Sequence, residues 1–172
     1  MNEFEVYLQT ENNAEKLFWK GFEFEKKSER TNEDSYKAFR CYEKSATLKH
    51  NIAKYRLGRC YEFGIYKAIS IRSAFINYEE SANKGYELAM YHLGRLYEKE
   101  YNNNDNAYIW YKKAAENNDG GEGNKVGDAG GANNAGFCYK SGGDKVEIDL
   151  EKAKNYFNLA CELNEINQTK YE

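Results

Sequence analysis

The chain has 172 residues, a net charge of −3 and 41% hydrophobic residues, which is one domain's length with enough apolar content to bury a core. Its charges of both signs are interleaved without a basic patch, so the footprint of a nucleic-acid or anionic-membrane binder is missing. No window reaches the ~18 unbroken apolar residues of a membrane span.

The N-terminus, Met1-Asn2-Glu3-Phe4-Glu5, is acidic and has no apolar leader segment, so a cytoplasmic location is expected. Residues 1–13 read as an N-terminal cap or flexible segment, and the approach from Phe4 to Leu17 can add a helical turn over the open end of the neighbouring helices. Proline is absent while Leu, Ala, Glu and Lys are frequent, so the rest reads as helical.

From residue 14 the chain repeats. The frame Ala53-Lys54-Tyr55-Arg56-Leu57-Gly58-Arg59-Cys60-Tyr61 returns as Ala89-Met90-Tyr91-His92-Leu93-Gly94-Arg95-Leu96-Tyr97, which marks a stacked helical repeat. This frame divides the chain into four units, at about 14–50, 51–86, 87–116 and 128–164. In each, a first helix centres on a glycine (Gly21, Gly58, Gly94, Gly136) with an aromatic three residues later (Phe24, Tyr61, Tyr97, Tyr139). A second helix opens on Ala38, Ala74, Ala107 or Ala153 and carries an aromatic four residues on, at Tyr42, Tyr78, Tyr111 and Phe157. Small pairs come next: Ser45-Ala46, Ser81-Ala82, Ala114-Ala115 and Ala160-Cys161.

Positions 0, 4, 7 and 8 share one helix face, so these residues form a single apolar stripe. Small residues admit the neighbouring helix, and the aromatic fills the space they leave. A glycine inside a helix costs about 0.5–1 kcal/mol relative to alanine, so its return in each unit points to packing. Asp34, Ser70, Asn103 and Asp149 precede each second helix in one shared slot and are expected to cap its N-terminus.

Two stretches depart from this order. The first helix of unit four, Asp128 to Gly136, is poor helix sequence and is expected to fray or be displaced. Residues 117–127 form a Gly-rich polar insert expected to be flexible, and 165–172 a polar tail expected to be disordered.

These units resemble Sel-1-like repeats, relatives of the tetratricopeptide repeat. The matching residues are Ala53-x-Tyr55-x-Leu57-Gly58-x-x-Tyr61-x-x-Gly64 and Ala89-x-Tyr91-x-Leu93-Gly94-x-x-Tyr97. Tyr139-x-x-Gly142, Val146-x-x-Asp149-x-x-x-Ala153 and Trp110-Tyr111-Lys112-Lys113-Ala114-Ala115 add to them. The resemblance implies an all-α, right-handed α-solenoid of about four antiparallel helix pairs. It also implies a non-catalytic protein–protein interaction scaffold or adaptor. A tetratricopeptide-like array of another subtype is the near alternative. Unit one departs from the pattern, having Lys20 where the family has leucine, as a capping repeat does.

Chemistry-bearing residues are few. Cys60 and Cys138 share the slot that Leu96 fills, and Cys161 the slot of Ala46, Ala82 and Ala115, so they read as core residues. Secreted cysteine-rich members of the family bridge the two helices of a unit. The resemblance therefore keeps open an enzyme of that branch acting on a peptide-like substrate, or a regulatory module of a larger protein such as a kinase. His50 and His92 have no recurring Cys or Ser partner, so no catalytic residue is assigned. The glycines 121, 123 and 127 lack phosphate-loop spacing, and Asp119, Glu122 and Asp128 lack EF-hand spacing. No cofactor or metal is assigned either.

What remains is surface. In the tetratricopeptide arrangement the first helix lines the concave side, and the positions −3, +1 and +4 from the glycine face into it. The resemblance thus nominates Tyr55, Arg59 and Glu62, then Tyr91, Arg95 and Glu98, as the face that binds a protein or peptide partner. Phe18, Phe22 and Glu25 are the counterparts in unit one, and Phe137 and Lys140 in unit four. Against this, the tyrosines read more readily as packing between units, and the Arg–Glu pairs as exposed, solvated contacts. Weak caps leave end-to-end self-association open as a mode of assembly.

Overall fold

In the computed structural model the described residues are 2–116, 129–142 and 146–169, and among them all regular structure is helical. The N-terminal helix α1 (Glu3–Thr10) precedes four helix pairs: α2 (Ala14–Glu25) with α3 (Asn32–Thr47), α4 (Asn51–Phe63) with α5 (Ile71–Ala82), α6 (Glu87–Lys99) with α7 (Asn104–Glu116), and α8 (Ala129–Ser141) with α9 (Leu150–Thr169). The fold is an all-α helical repeat. The chain divides into two compact units, Met1–Ser81 and Ala82–Glu172.

Each pair is held by the contact the spacing predicts. A Cβ on Gly58 would stand 2.7 Å from the Tyr78 ring, and one on Gly94 2.7 Å from the Tyr111 ring. Gly21 meets Tyr42 at 2.8 Å and Gly136 meets Phe157 at 2.7 Å in the same way. These separations are below any real Cβ contact, so only glycine lets the aromatic lie flat on the first helix. The buried tyrosines then place their hydroxyls on a carboxylate four residues past the glycine. Tyr42 donates to Glu25 at 2.5 Å, Tyr78 to Glu62 at 2.6 Å and Tyr111 to Glu98 at 2.6 Å. In the fourth pair both partners change together, to Phe157 and Lys140.

The pair ends are tied as well. Ser45 Oγ donates to the Ala14 carbonyl at 2.6 Å and Ser81 Oγ to the Asn51 carbonyl at 2.9 Å. Each bond joins the end of a second helix to the start of its first helix, so the two run antiparallel. The turn between them closes on a repeated bond: Ser70 N–H to Tyr61 O, Asn103 N–H to Tyr97 O and Asp149 N–H to Tyr139 O, at 2.8 to 3.0 Å.

Those last three residues cap α5, α7 and α9 as expected, accepting from Ser73, Asn106 and Lys152 N–H. Asp34 does not. The cap of α3 is Thr31, and Asp34 sits a turn inside, accepting from the Thr31 N–H and hydroxyl in a capping box. Helix α3 therefore begins one turn earlier than the shared slot implies, because Thr31 and Asp34 satisfy each other's donors. Lys27 pairs with Asp34 at 2.5 Å, and this bond with those from Thr31 holds the carboxyl well below its ordinary range.

Three further expectations are corrected. Residues 129–141 form a full helix rather than a frayed one. Its small residues are what packing needs, since Ala132 and Ala135 are fully buried. A Cβ on Gly131 would lie 2.7 Å from the Ala114 Cβ and 3.0 Å from the Tyr111 carbonyl. Residues 165–169, expected as tail, continue α9. Cys161 is exposed, unlike Ala46, Ala82 and Ala115, because no later helix in the described chain covers it. The insert at 117–127, with its glycines and acids, lies outside the described residues.

At the N-terminus, α1 packs Leu8, with Phe4 and Tyr7 beside it, on Leu17, Phe24 and Cys41. Lys44 Nζ bonds the Leu8 carbonyl and Tyr36 the Glu5 carboxylate, which fixes α1 across the first pair.

Candidate functional site

Of the nominated residues, Tyr55, Arg59 and Glu62 lie on α4 in the first compact unit, and Tyr91, Arg95 and Glu98 on α6 in the second. Tyr55 is buried, tilted against Tyr78 with ring centroids 5.9 Å apart, so it packs rather than projects. Glu62 receives the Tyr78 hydroxyl. Arg59 is half-buried, 3.9 Å from Glu25 and with its guanidinium 5.8 Å from the Phe63 ring centre. In the second compact unit Tyr91 lies half-buried against Tyr111 and beneath Arg95. Glu98 is exposed and holds the Tyr111 hydroxyl. The tyrosines of each trio are thus its floor, and arginine and glutamate its polar upper surface.

Burial, followed by the bonded carboxylate, pushes the Tyr42, Tyr78 and Tyr111 hydroxyls far above their ordinary range. They stay protonated and donating at neutral pH. Desolvation pushes Cys41 and Cys60 up to about 12 and Cys138 up to about 11, the opposite of an activated thiol. All four cysteines are free. Among the described residues no His, Cys, Asp and Glu cluster could hold a metal ion, and no helix is long and apolar enough to cross a membrane.

The sequence singled out neither Arg56 nor Asn134, which share the position two before the repeat glycine. Arg56 Nη1 donates to Glu25 Oε1 at 3.1 Å and the guanidinium lies 5.1 Å from the Phe22 ring centre, while its buried Nε has no partner. With Arg59 it fills the space between α3 and α4, leaving a cavity of about 10 Å³ lined also by Glu25, Ser35, Tyr42 and Cys60. Between α7 and α8 the equivalent residues are Glu98, Asn104, Tyr111 and Cys138. There Asn134 and Phe137 stand for the arginines, and about 240 Å³ is open. Following the −2 position through the four units, as Trp19, Arg56, His92 and Asn134, is the signal that could have found this difference.

The profile of the Sel1 repeat matches residues 28–50, 51–86, 87–119 and 129–165. The first match begins just ahead of α3, so α2 lies outside it although Gly21 packs as its counterparts do. No curated protein matches the chain. Among solved structures it is similar to a protective antigen present in uropathogenic Escherichia coli strains and displaying an SLR fold, with a TM-score of 0.76 and 21% identity, covering 92% of this chain and 32% of that one. It is also similar to a Sel1 repeat protein from Oxalobacter formigenes, with a TM-score of 0.73 and 22% identity, covering 88% of this chain and 59% of that one. The chain thus spans about a third of the first and under two thirds of the second.

Proposed function

We propose that this chain, which belongs to the Sel1 repeat family, is a non-catalytic scaffold or adaptor that binds a protein or peptide partner on its first-helix face. Arg59, Glu62, Arg95 and Glu98 are the contacting groups of that face, and Tyr55 and Tyr91 support them. The observation that carries the reading is the recurring glycine, tyrosine and glutamate lattice, which fixes polar groups of the face before any partner arrives. A preformed surface loses less side-chain entropy on binding. The alternative, a cysteine-rich enzyme acting on a peptide-like substrate, would need bridged cysteines, and the free state of Cys41, Cys60, Cys138 and Cys161 weighs against it.

Affinity capture from source-cell lysate tests this, comparing the natural chain with Arg59→Glu/Arg95→Glu whose helical circular dichroism is unchanged. A specific partner bound by the first and lost from the second is the expected result. Partners retained equally by both would sink the assignment of this face.

A further inference from the structure

We infer that the pocket between α7 and α8 is a socket for one cationic side chain, an arginine of the protein partner. This rests on the scaffold reading for the partner's class, but the pocket itself stands on geometry.

The two compact units each hold such a slot, with different fillings. In residues 1–81 it is walled by Glu25, whose Oε2 takes the Tyr42 hydroxyl, and its other oxygen takes the Arg56 guanidinium. Arg56 and Arg59 leave about 10 Å³, near the room one water needs. In residues 82–172 the wall is rebuilt by Glu98, Tyr111 and Cys138, and the Tyr111 hydroxyl again takes one carboxylate oxygen at 2.6 Å. The arginines are missing. Asn134 hydrogen-bonds the Tyr111 hydroxyl and brings no positive charge to Glu98, and Phe137 stands 49% exposed at the rim. Among the described residues Glu98 is in no ion pair, unlike Glu25.

The first slot therefore displays the side chain that complements the second. A carboxylate that accepts a hydrogen bond from a tyrosine hydroxyl on one oxygen takes a guanidinium on its remaining oxygen, in a charge-assisted bond. The open volume of about 240 Å³ is below the ~300–1,000 Å³ of small-molecule pockets and suits a single long side chain. Asn104 and Asn134 line the pocket with side-chain amides that can accept from the other guanidinium N–H groups, and Phe137 adds an aromatic ring to the lining. Asp105 adds a second carboxylate to the lining. A planar fork uses such spread acceptors better than an ammonium does, which favours arginine over lysine.

The test is a titration of the isotopically labelled full chain with N-acetyl-arginine methylamide, monitored by amide NMR shifts at residues 134–138. Saturable shifts are expected, with a dissociation constant on the order of 1 mM for so small a probe. The uncharged isostere N-acetyl-citrulline methylamide should produce none. Glu98→Gln keeps an acceptor for Tyr111 and should weaken the probe about tenfold, as loss of one charged hydrogen bond does. Asn134→Arg rebuilds the first slot's filling and should abolish binding with helicity intact. Absent or non-saturable shifts, equal binding of citrulline, or binding that survives Asn134→Arg would overturn the socket. Equal affinity for N-acetyl-lysine methylamide would overturn the choice of arginine. A working socket in a chain that captures no protein would sink the scaffold reading and leave the socket standing.

Discussion

The tyrosine–glutamate bond repeated in three pairs makes one hydroxyl the measurable unit of this fold. Tyr111→Phe removes the donor to Glu98 and should cost about 0.5–1.5 kcal/mol in denaturant unfolding. Phe157→Tyr should gain nothing, because the position that would accept its proton is Lys140. Phe157→Tyr with Lys140→Glu rebuilds the natural pair, and a double-mutant cycle should give a favourable coupling between the two. A coupling of zero would mean that the fourth pair is not built like the others. His50 supplies a second residue-scale test. Its Nδ1 accepts the Ala53 N–H and so caps α4, and the ring stacks on Phe18. Burial lowers its pKa, with Glu15 opposing. A depressed folded pKa means that this contribution is present above the unfolded value near 6.5 and is lost as pH falls through the folded one. His50→Asn keeps an acceptor that does not titrate, so the loss of thermal stability as pH falls below about 6.5 should flatten.

At the scale of the element, α8 sets local propensity against packing. Its glycines read as helix breakers, and alanine at position 131 would raise helix propensity by about 1 kcal/mol. Yet a Cβ there would meet Ala114 at 2.7 Å and backbone atoms at 3.0 and 3.2 Å, none of which is the end of a flexible side chain. Gly131→Ala should therefore destabilise, by about 1–3 kcal/mol as for overpacked sites, and a raised melting temperature would refute that account. This is why the helix was illegible. Propensity is summed along the chain, whereas the demand for small residues comes from α7, which the local sequence does not contain. The α3 cap was missed for a related reason. Asp34 occupies the slot that its counterparts use for capping, but Thr31 three residues earlier offers a reciprocal partner that Ser70, Asn103 and Asp149 lack.

For the whole molecule, the fold was legible because Gly, aromatic and small residues recur at fixed offsets, and each offset is a contact. The candidate face was legible only as a set of positions. That Tyr55 is floor while Arg59 is surface depends on Tyr78, and that one slot is filled and its counterpart open depends on residues no repeat pattern marks. The cysteines turn this arrangement into a measurement on each compact unit. Cys161 is exposed, Cys138 half-buried, and Cys41 and Cys60 buried with thiols pushed up to about 12. At pH 8 the native chain should show one fast thiol toward an aromatic disulfide reagent and a slower one at Cys138. Cys41 and Cys60 should react only at the rate at which residues 1–81 open, since little thiolate forms while they are packed. Weakening α2–α3 packing with Leu17→Ala should speed Cys41 and Cys60 while leaving Cys161 unchanged. Denatured, unreduced protein should yield all four thiols. A count below four would mean a disulfide and would return the cysteine-bridged enzyme to consideration, while fast labelling of Cys60 in the native chain would contradict the packing of α4 on α3.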